Sequence, residues 1–316
     1  NEVDEAWNNW GWQNQFNLHG EDSVKMWNDY KRLFRDSIAA WVKEYDGTRP
    51  YTSTSPLNGW GRANSITEGD SHYWGVWWGL QDIEMFENKT GRFVSEYGMQ
   101  AMPNYNTTLS VTQPGDRFLF SDVIKAHQKH PTGYQNIQSY SHRYFLDSSA
   151  VKKLSLENYT YLTQCFQYYT LKNIIAIHRS KYPVNMGTLL WQLNDCWPVC
   201  SWSITDYSRQ PKAAWYAVKE AYRDDVLPQR DSIRPINLKL QKPEFNLKYI
   251  GEGNYIIESN VDAKYVYLYL EKGFLNINDN YFDLKAGEKK KIYLKDRYFS
   301  SNEIPVIKIK SLYDIR

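Results

Sequence analysis

The chain has 316 residues, a length for about two domains. Hydrophobic residues make up 42% and charged residues 23%, which excludes disordered, collagen-like and fibrous classes. No apolar run reaches the ~18 residues of a membrane-spanning helix, and a net charge of +2 gives no electrostatic case for nucleic acid or an acidic membrane.

The chain opens on Asn1-Glu2 without a Met, as a piece of a longer protein would. Residues 21–45 carry apolar positions at Met26/Trp27, Tyr30, Leu33/Phe34, Ile38 and Trp41/Val42. That spacing of three and four predicts a helix, stopped by Asp46-Gly47. Residues 51–55 are a short strand candidate. Residues 71–78 read as another, running into a helix through Leu80, Ile83 and Phe86. Arg92–Glu96 is a third strand candidate. Residues 103–150 are rich in Pro, Gly, Asn and Ser and read as loops and short helices. Leu156–Arg179 has the periodicity of a long helix, Gly187–Asn194 that of a strand, and Pro211–Tyr222 a short helix opened by proline.

Alternating strands and helices are the α/β signature, with three or four βα units before residue 223. Eight such units close a barrel. The 13 tryptophans run from Trp7 to Trp215 and then stop, a shift that marks a domain boundary near residue 225. Residues 223–235 form a charged stretch with proline near each end and fit a linker. Beyond it, residues 265–270, 290–294 and 305–310 are β-rich runs punctuated by Gly251, Gly253, Gly273 and Gly287. They predict a small β-sandwich.

In parallel α/β barrels the chemistry sits at the carboxyl ends of the strands. Glu96 ends a predicted strand, Asp195 follows one, and Glu2 opens the chain. Two carboxylates in a tryptophan-rich cleft are the equipment of a glycosidase: one protonates the leaving oxygen, the other attacks or activates water. Tryptophan faces suit the apolar C–H face of a pyranose. Each feature also has a plainer reading as a salt-bridged carboxylate, a core tryptophan or, for His72, a hydrogen-bonded structural histidine. His127 and His130 lack a third metal-ligating partner, and the spacing of Cys196 and Cys200 is neither a redox motif nor a zinc signature. The sequons at Asn88, Asn106 and Asn158 are expected by chance in so polar a chain.

Asn1-Glu2-Val-Asp-Glu-Ala-Trp-Asn-Asn-Trp-Gly-Trp12 resembles the acid/base segment of the β-mannosidases of glycoside hydrolase family 2. Ser95-Glu-Tyr-Gly-Met-Gln100 resembles their nucleophile segment, 70–77 their sixth barrel strand, and 190–195 with 201–203 the eighth strand and its loop. Residues 279–288 resemble part of the terminal sandwich. The ordered set is far more specific than any one motif.

The resemblance implies an α/β fold: the C-terminal half of a (β/α)8 TIM barrel at 1–223, a linker or deletion junction at 224–235, and a small all-β immunoglobulin-like sandwich at 236–316. It implies a retaining exo-β-mannosidase acting on terminal β-D-mannose of an oligosaccharide or glycoside. Glu96 would be the nucleophile and Glu2 the acid, then the base, with its proton held partly by repulsion from Glu96. Asn1 would bond the sugar 2-hydroxyl. Trp74 and Trp191 would wall the subsite, with His72 and Trp10 as further substrate-binding candidates. No metal or organic cofactor is implied.

The family carries N-terminal β-domains and earlier barrel strands upstream of its Asn-Glu pair, so the missing N-terminal part of the same enzyme is an expected partner, without which 1–223 should neither fold nor turn over. A secreted or periplasmic setting is favoured for a bacterial source. The alternatives are another family 2 exo-glycosidase (β-galactosidase, β-glucuronidase or exo-glucosaminidase) and a non-catalytic carbohydrate-binding relative.

Overall fold

The computed structural model describes residues 1–295 and 305–316. The predicted strand at 305–310 lies within the described residues, and its regular part is Lys308–Lys310. The chain divides into two compact units, one of 1–98 with 177–191 and one of 99–176 with 192–316.

The first unit opens with helix α1 (Val3–Asn8), whose first turn holds Asp4 and Glu5, the charge that a helix N-terminus favours. A single turn, α2 (Trp12–Gln15), leads to α3 (Gly20–Lys31). This continues through a π-helical turn at Arg32–Ser37 into α4 (Ile38–Tyr45). The periodic stretch 21–45 is thus helical as read, and Asp46 follows its last residue. Trp7, Trp27, Tyr30 and Phe34 stack in sequence at 4.7–5.4 Å between ring centroids, fastening α1 to α3. Arg35, in the π turn, donates to the buried Asp4 carboxylate at 2.6 Å.

Strand β1 (Ser71–His72) pairs in parallel with β2 (Val94–Glu96). Ser71 faces Val94 and His72 faces Glu96, so Ser95 is an extra residue in the register. On the other side of β2, residues 186–191 run parallel to it. Val94 N–H donates to Gly187 O, Leu189 N–H to Val94 O and Trp191 N–H to Tyr97 O, at 2.8–3.0 Å. The predicted strand at 187–194 is therefore a bridged extended segment rather than a regular strand. The candidate at 51–55 forms no regular strand; instead Ser55 N–H donates to Asn1 O and the Asn1 side chain to Ser53 O. The predicted run 71–78 ends at His72. Trp78 N–H turns back onto Trp74 O, and Trp77 takes φ 93°, which no strand tolerates. The helix expected through Leu80 is one 3-10 turn at Ile83–Glu87.

The second unit contains α5 (Tyr105–Ser110), α6 (Asp122–Ala126), α7 (Gly133–Tyr144) and α8 (Ser148–Val151). The stretch read as loops and short helices thus includes one three-turn helix. Helix α9 (Leu156–Ser180) matches its periodicity, and α10 (Ala213–Ala221) follows Pro211. Tyr140, Tyr144 and Phe145 pack their rings on Phe166 of α9. The stretch before the sandwich is anchored: Lys172 and Asn173 of α9 both donate to Asp231, at 2.9 and 3.1 Å.

Six strands then form two three-stranded sheets. β3 (Phe245–Gly251), β4 (Asn254–Ser259) and, two strands later in the chain, β7 (Lys290–Tyr293) make one. β5 (Ala263–Tyr269), flanked by β6 (Phe282–Leu284) and β8 (Lys308–Lys310), makes the other. Ile257, Val266, Leu268, Ile277 and Ile292 are fully buried between them. The β3–β4 hairpin went unread in the sequence. It turns through Gly251, Glu252 and Gly253, all at positive φ, which is why glycine brackets the turn.

Candidate active site

His72 is the hub of the first unit's polar centre. Its ring is 3% exposed, and its Nδ1 stands 3.4 Å from Glu96 Oε2, 3.7 Å from Glu2 Oε1 and 3.9 Å from Glu5 Oε2. One ligand atom each from Glu2, His72 and Glu96 lies within 4.8 Å of the others. His72 is buried and hydrogen-bonded to Ser55, and three carboxyl groups also converge on it.

Local structure accounts for the convergence. Glu2 immediately precedes α1 and Glu5 lies in its first turn, three residues on, so both project on one side of the helix. Glu96 ends β2, directly opposite His72. On the far side of the imidazole, Nε2 meets Ser55 Oγ at 3.2 Å and Asp70 Oδ2 at 3.7 Å. Ser55 Oγ donates to Asp70 at 2.5 Å, and Ser95 Oγ donates to the same oxygen. A serine hydroxyl has one proton, so with that proton on Asp70 the Ser55 oxygen accepts from His72 Nε2–H. The Nδ1 lone pair then faces the three carboxyl groups, and it has no hydrogen-bond partner.

The electrostatics follow from crowding. Burial, reinforced by the charge of Glu2, raises Glu96 to about 8. Burial and the same charge raise Glu5 to about 7, against a lowering hydrogen bond from Trp10. Burial outweighs the pull of Asp70 and lowers His72 to about 4, so the ring is neutral at pH 7. The protons of so tight a cluster belong to it as a whole.

The remaining predicted residues distribute around this hub. The Trp74 indole N–H donates to Glu96 Oε2 at 3.3 Å, and its ring is buried. Trp10 reaches the centre through Glu5 and is otherwise exposed. Trp191 is exposed on the segment beside β2, held there by its N–H on Tyr97 O. The Asn1 carboxamide donates to Ser53 O and accepts from Val3 N–H and the Tyr30 hydroxyl.

Asp195 belongs to the second unit and is buried, accepting from Ser201 and Ser203 at 2.6 and 2.5 Å. Its role there is to hold a loop. Glu5, Asp70 and the two serines were missed. Glu5 had a signal, three residues after Glu2 at a helix start. Asp70 also had one, two residues before His72 at the start of a predicted strand, where alternate side chains share a face. Among the described residues the three cysteines are free thiols, and His127 and His130 are engaged by Pro198 O and Thr132 N–H.

The family model Ig_mannosidase, an Ig-fold domain, matches residues 240–315. Proteins named Beta-mannosidase B from Aspergillus clavatus and Aspergillus flavus are 37% identical over 191 and 208 residues. Those matches take in 59% and 63% of this chain but 22% and 24% of the relatives. The solved structure of a β-D-mannosidase from Dictyoglomus thermophilum superposes with a TM-score of 0.73 at 25% identity, over 89% of this chain and 44% of that one. The chain therefore spans less than half the length of the proteins it matches. The resemblance read from the sequence is borne out by these likenesses. So is the fold class, the C-terminal half of a (β/α)8 barrel and an immunoglobulin-like sandwich.

Proposed function

We propose that the protein carrying this chain is a retaining exo-β-mannosidase, with the hub around His72 as its catalytic centre. The observation that carries the reading is the approach of Glu2 and Glu96, whose nearest ligand atoms lie within 4.8 Å. Carboxyl groups ~5–5.5 Å apart leave no room for a water between sugar and base, so one of them must attack carbon directly. Glu96 is the nucleophile: its oxygen bonds the anomeric carbon as the glycosidic bond breaks. Glu2 gives its proton to the departing oxygen, then takes one from the water that hydrolyses the glycosyl-enzyme. A crowded pair sharing one proton at neutral pH supplies the protonation count that this double displacement needs.

Trp74 holds Glu96 from one side by its indole N–H, which favours the ionised carboxylate as it attacks. His72 is neutral and buried, and acts as a positioning residue between the two carboxyl groups. Asn1 has one amide N–H beyond those used by the protein and directs it to the 2-hydroxyl. Trp191 and Trp10 are exposed rings suited to the apolar sugar face. The names of the similar proteins support mannose as the sugar, and their greater length supports an N-terminal part of the same enzyme as a necessary partner. Residues 224–235 connect barrel and sandwich.

The test uses the full-length protein and matched aryl β-glycosides. Turnover of the mannoside with retained anomeric configuration, falling to background in Glu96→Gln, is the expected result. Inverted product, or full activity in folded Glu96→Gln, would overturn the assignment. Preference for the galactoside, glucuronide or glucosaminide would keep the mechanism and change the sugar.

A further inference from the structure

The His72 hub has the geometry of a metal site as well as that of a catalytic centre. A zinc ion holds nitrogen and oxygen ligands at ~2.0–2.2 Å, so the edges of its tetrahedron are ~3.4 Å. The edges from His72 Nδ1 are 3.4 Å to Glu96, 3.7 Å to Glu2 and 3.9 Å to Glu5. All three fall within about half an ångström of that ideal edge. Acidic clusters alone are common without an ion. Here a second observation points the same way. His72 is 97% buried by its 3% exposure, and Nδ1 has no hydrogen-bond partner and faces into the cluster.

The other ring nitrogen completes the pattern. Nε2 is 3.2 Å from Ser55 Oγ and 3.7 Å from Asp70 Oδ2, and Asp70 is fixed in turn by Ser55 and Ser95. A carboxylate and hydroxyl behind a histidine are what set the tautomer and orientation of a metal-ligating imidazole.

We propose that Glu2, His72 and Glu96 bind Zn2+ reversibly, with a water as fourth ligand, and that the ion inhibits the enzyme by occupying both catalytic carboxylates. The ion is an inhibitor, not a cofactor, and excludes the glycoside by competition. Imidazole with carboxylates suits zinc over the hard cations Mg2+ and Ca2+, which prefer all-oxygen sites of higher coordination number. The inhibition rests on the function proposed above; the binding does not.

The experiment uses the full-length protein freed of metal by chelator and dialysis. Zn2+ is titrated calorimetrically, and Co2+ is used as a visible-absorbing substitute. The expected result is one Zn2+ per chain that depends on His72, intense Co2+ bands of a four-coordinate ion, and about 100-fold weaker binding in His72→Ala. Asp70→Asn, which leaves all three protein ligands in place, is expected to weaken binding by about 10–100-fold. Should His72→Ala fail to fold, Glu2→Gln gives the same reading with at least about 10-fold weaker binding. With an aryl β-mannoside, Zn2+ raises KM without lowering kcat, and EDTA restores the original rate.

Absence of saturable Zn2+ binding, or binding unchanged in the folded variants, overturns the proposal even where turnover is normal. Metal binding that depends on His72 in a protein without glycosidase activity keeps the site and removes the function assigned above. Inhibition that leaves KM unchanged refutes the competitive placement of the ion.

Discussion

His178 packs against Tyr97, the residue after Glu96, and its burial has a measurable cost in acid. The ring lies edge-on to Phe86 and Tyr97 at 5.1 and 5.0 Å, and its Nδ1 is 2.7 Å from Thr188 Oγ1. Burial lowers its pKa to about 3, whereas the unfolded chain titrates near ~6.5. A histidine depressed in the folded state contributes stability above the unfolded pKa and loses it as pH falls toward the folded one. Between about pH 8 and about pH 5 the unfolded ring takes up a proton that the folded ring refuses, at a cost of about 2 kcal/mol.

His178→Gln keeps a partner for Thr188 and removes the titration. Urea unfolding of both proteins at the two pH values isolates the effect, because other groups cancel in the difference of differences. The wild-type protein should lose about 2 kcal/mol more than the variant on acidification. Parallel losses would refute the reasoning and mean that the ring is protonated, or solvated, in the folded protein.

Three further outcomes are expected. Glu2→Ala should slow turnover by about 10²–10⁴ for poor leaving groups and far less for activated aryl leaving groups, which need no proton; equal losses across a leaving-group series would remove Glu2 as the acid. Asp195→Ala should destabilise the protein by about 1–3 kcal/mol, because the buried Ser203 hydroxyl loses its acceptor while Ser201 can still donate to Ser203; an unchanged melting temperature would contradict that. Ile257→Ala, which opens a cavity between the two sheets, should cost about 2–5 kcal/mol, and a loss under about 1 kcal/mol in chemical unfolding would show that the sheets collapse to fill it.

The helices were the most legible part of the sequence because their burial is periodic over many turns. Residues 21–45 and 156–180 needed nothing else. The barrel strands were legible in place but not in length. Each is only two or three residues of regular pairing, and Trp77 leaves the extended region as soon as β1 has ended. The β3–β4 hairpin carried a fair signal, with Leu247/Tyr249 and Tyr255/Ile257 alternating around Gly-Glu-Gly. Its charged, half-exposed first strand masked that alternation. In the site, the two glutamates were readable at the ends of segments, and the family resemblance supplied their roles. The dependence of the site on His72 was not readable. It arises from Asp70, two residues before His72, and from Ser55 and Ser95, which join it only when their segments lie side by side.

The extra residue in the register of β2 has a consequence for how this site tolerates change. In a regular strand neighbouring side chains point to opposite faces, so Ser95 and Glu96 would part company. Because His72 lies opposite Glu96 while Ser71 lies opposite Val94, both Ser95 and Glu96 reach the same polar centre. A substitution at Ser95 removes one hydrogen bond to Asp70. A deletion there takes out the extra residue and leaves Val94 and Glu96 as alternating neighbours, still opposite Ser71 and His72. The bulge therefore adds a hydroxyl behind the imidazole rather than aiming the carboxyl, and a chain one residue shorter here would keep Glu96 in place and lose the support of Asp70.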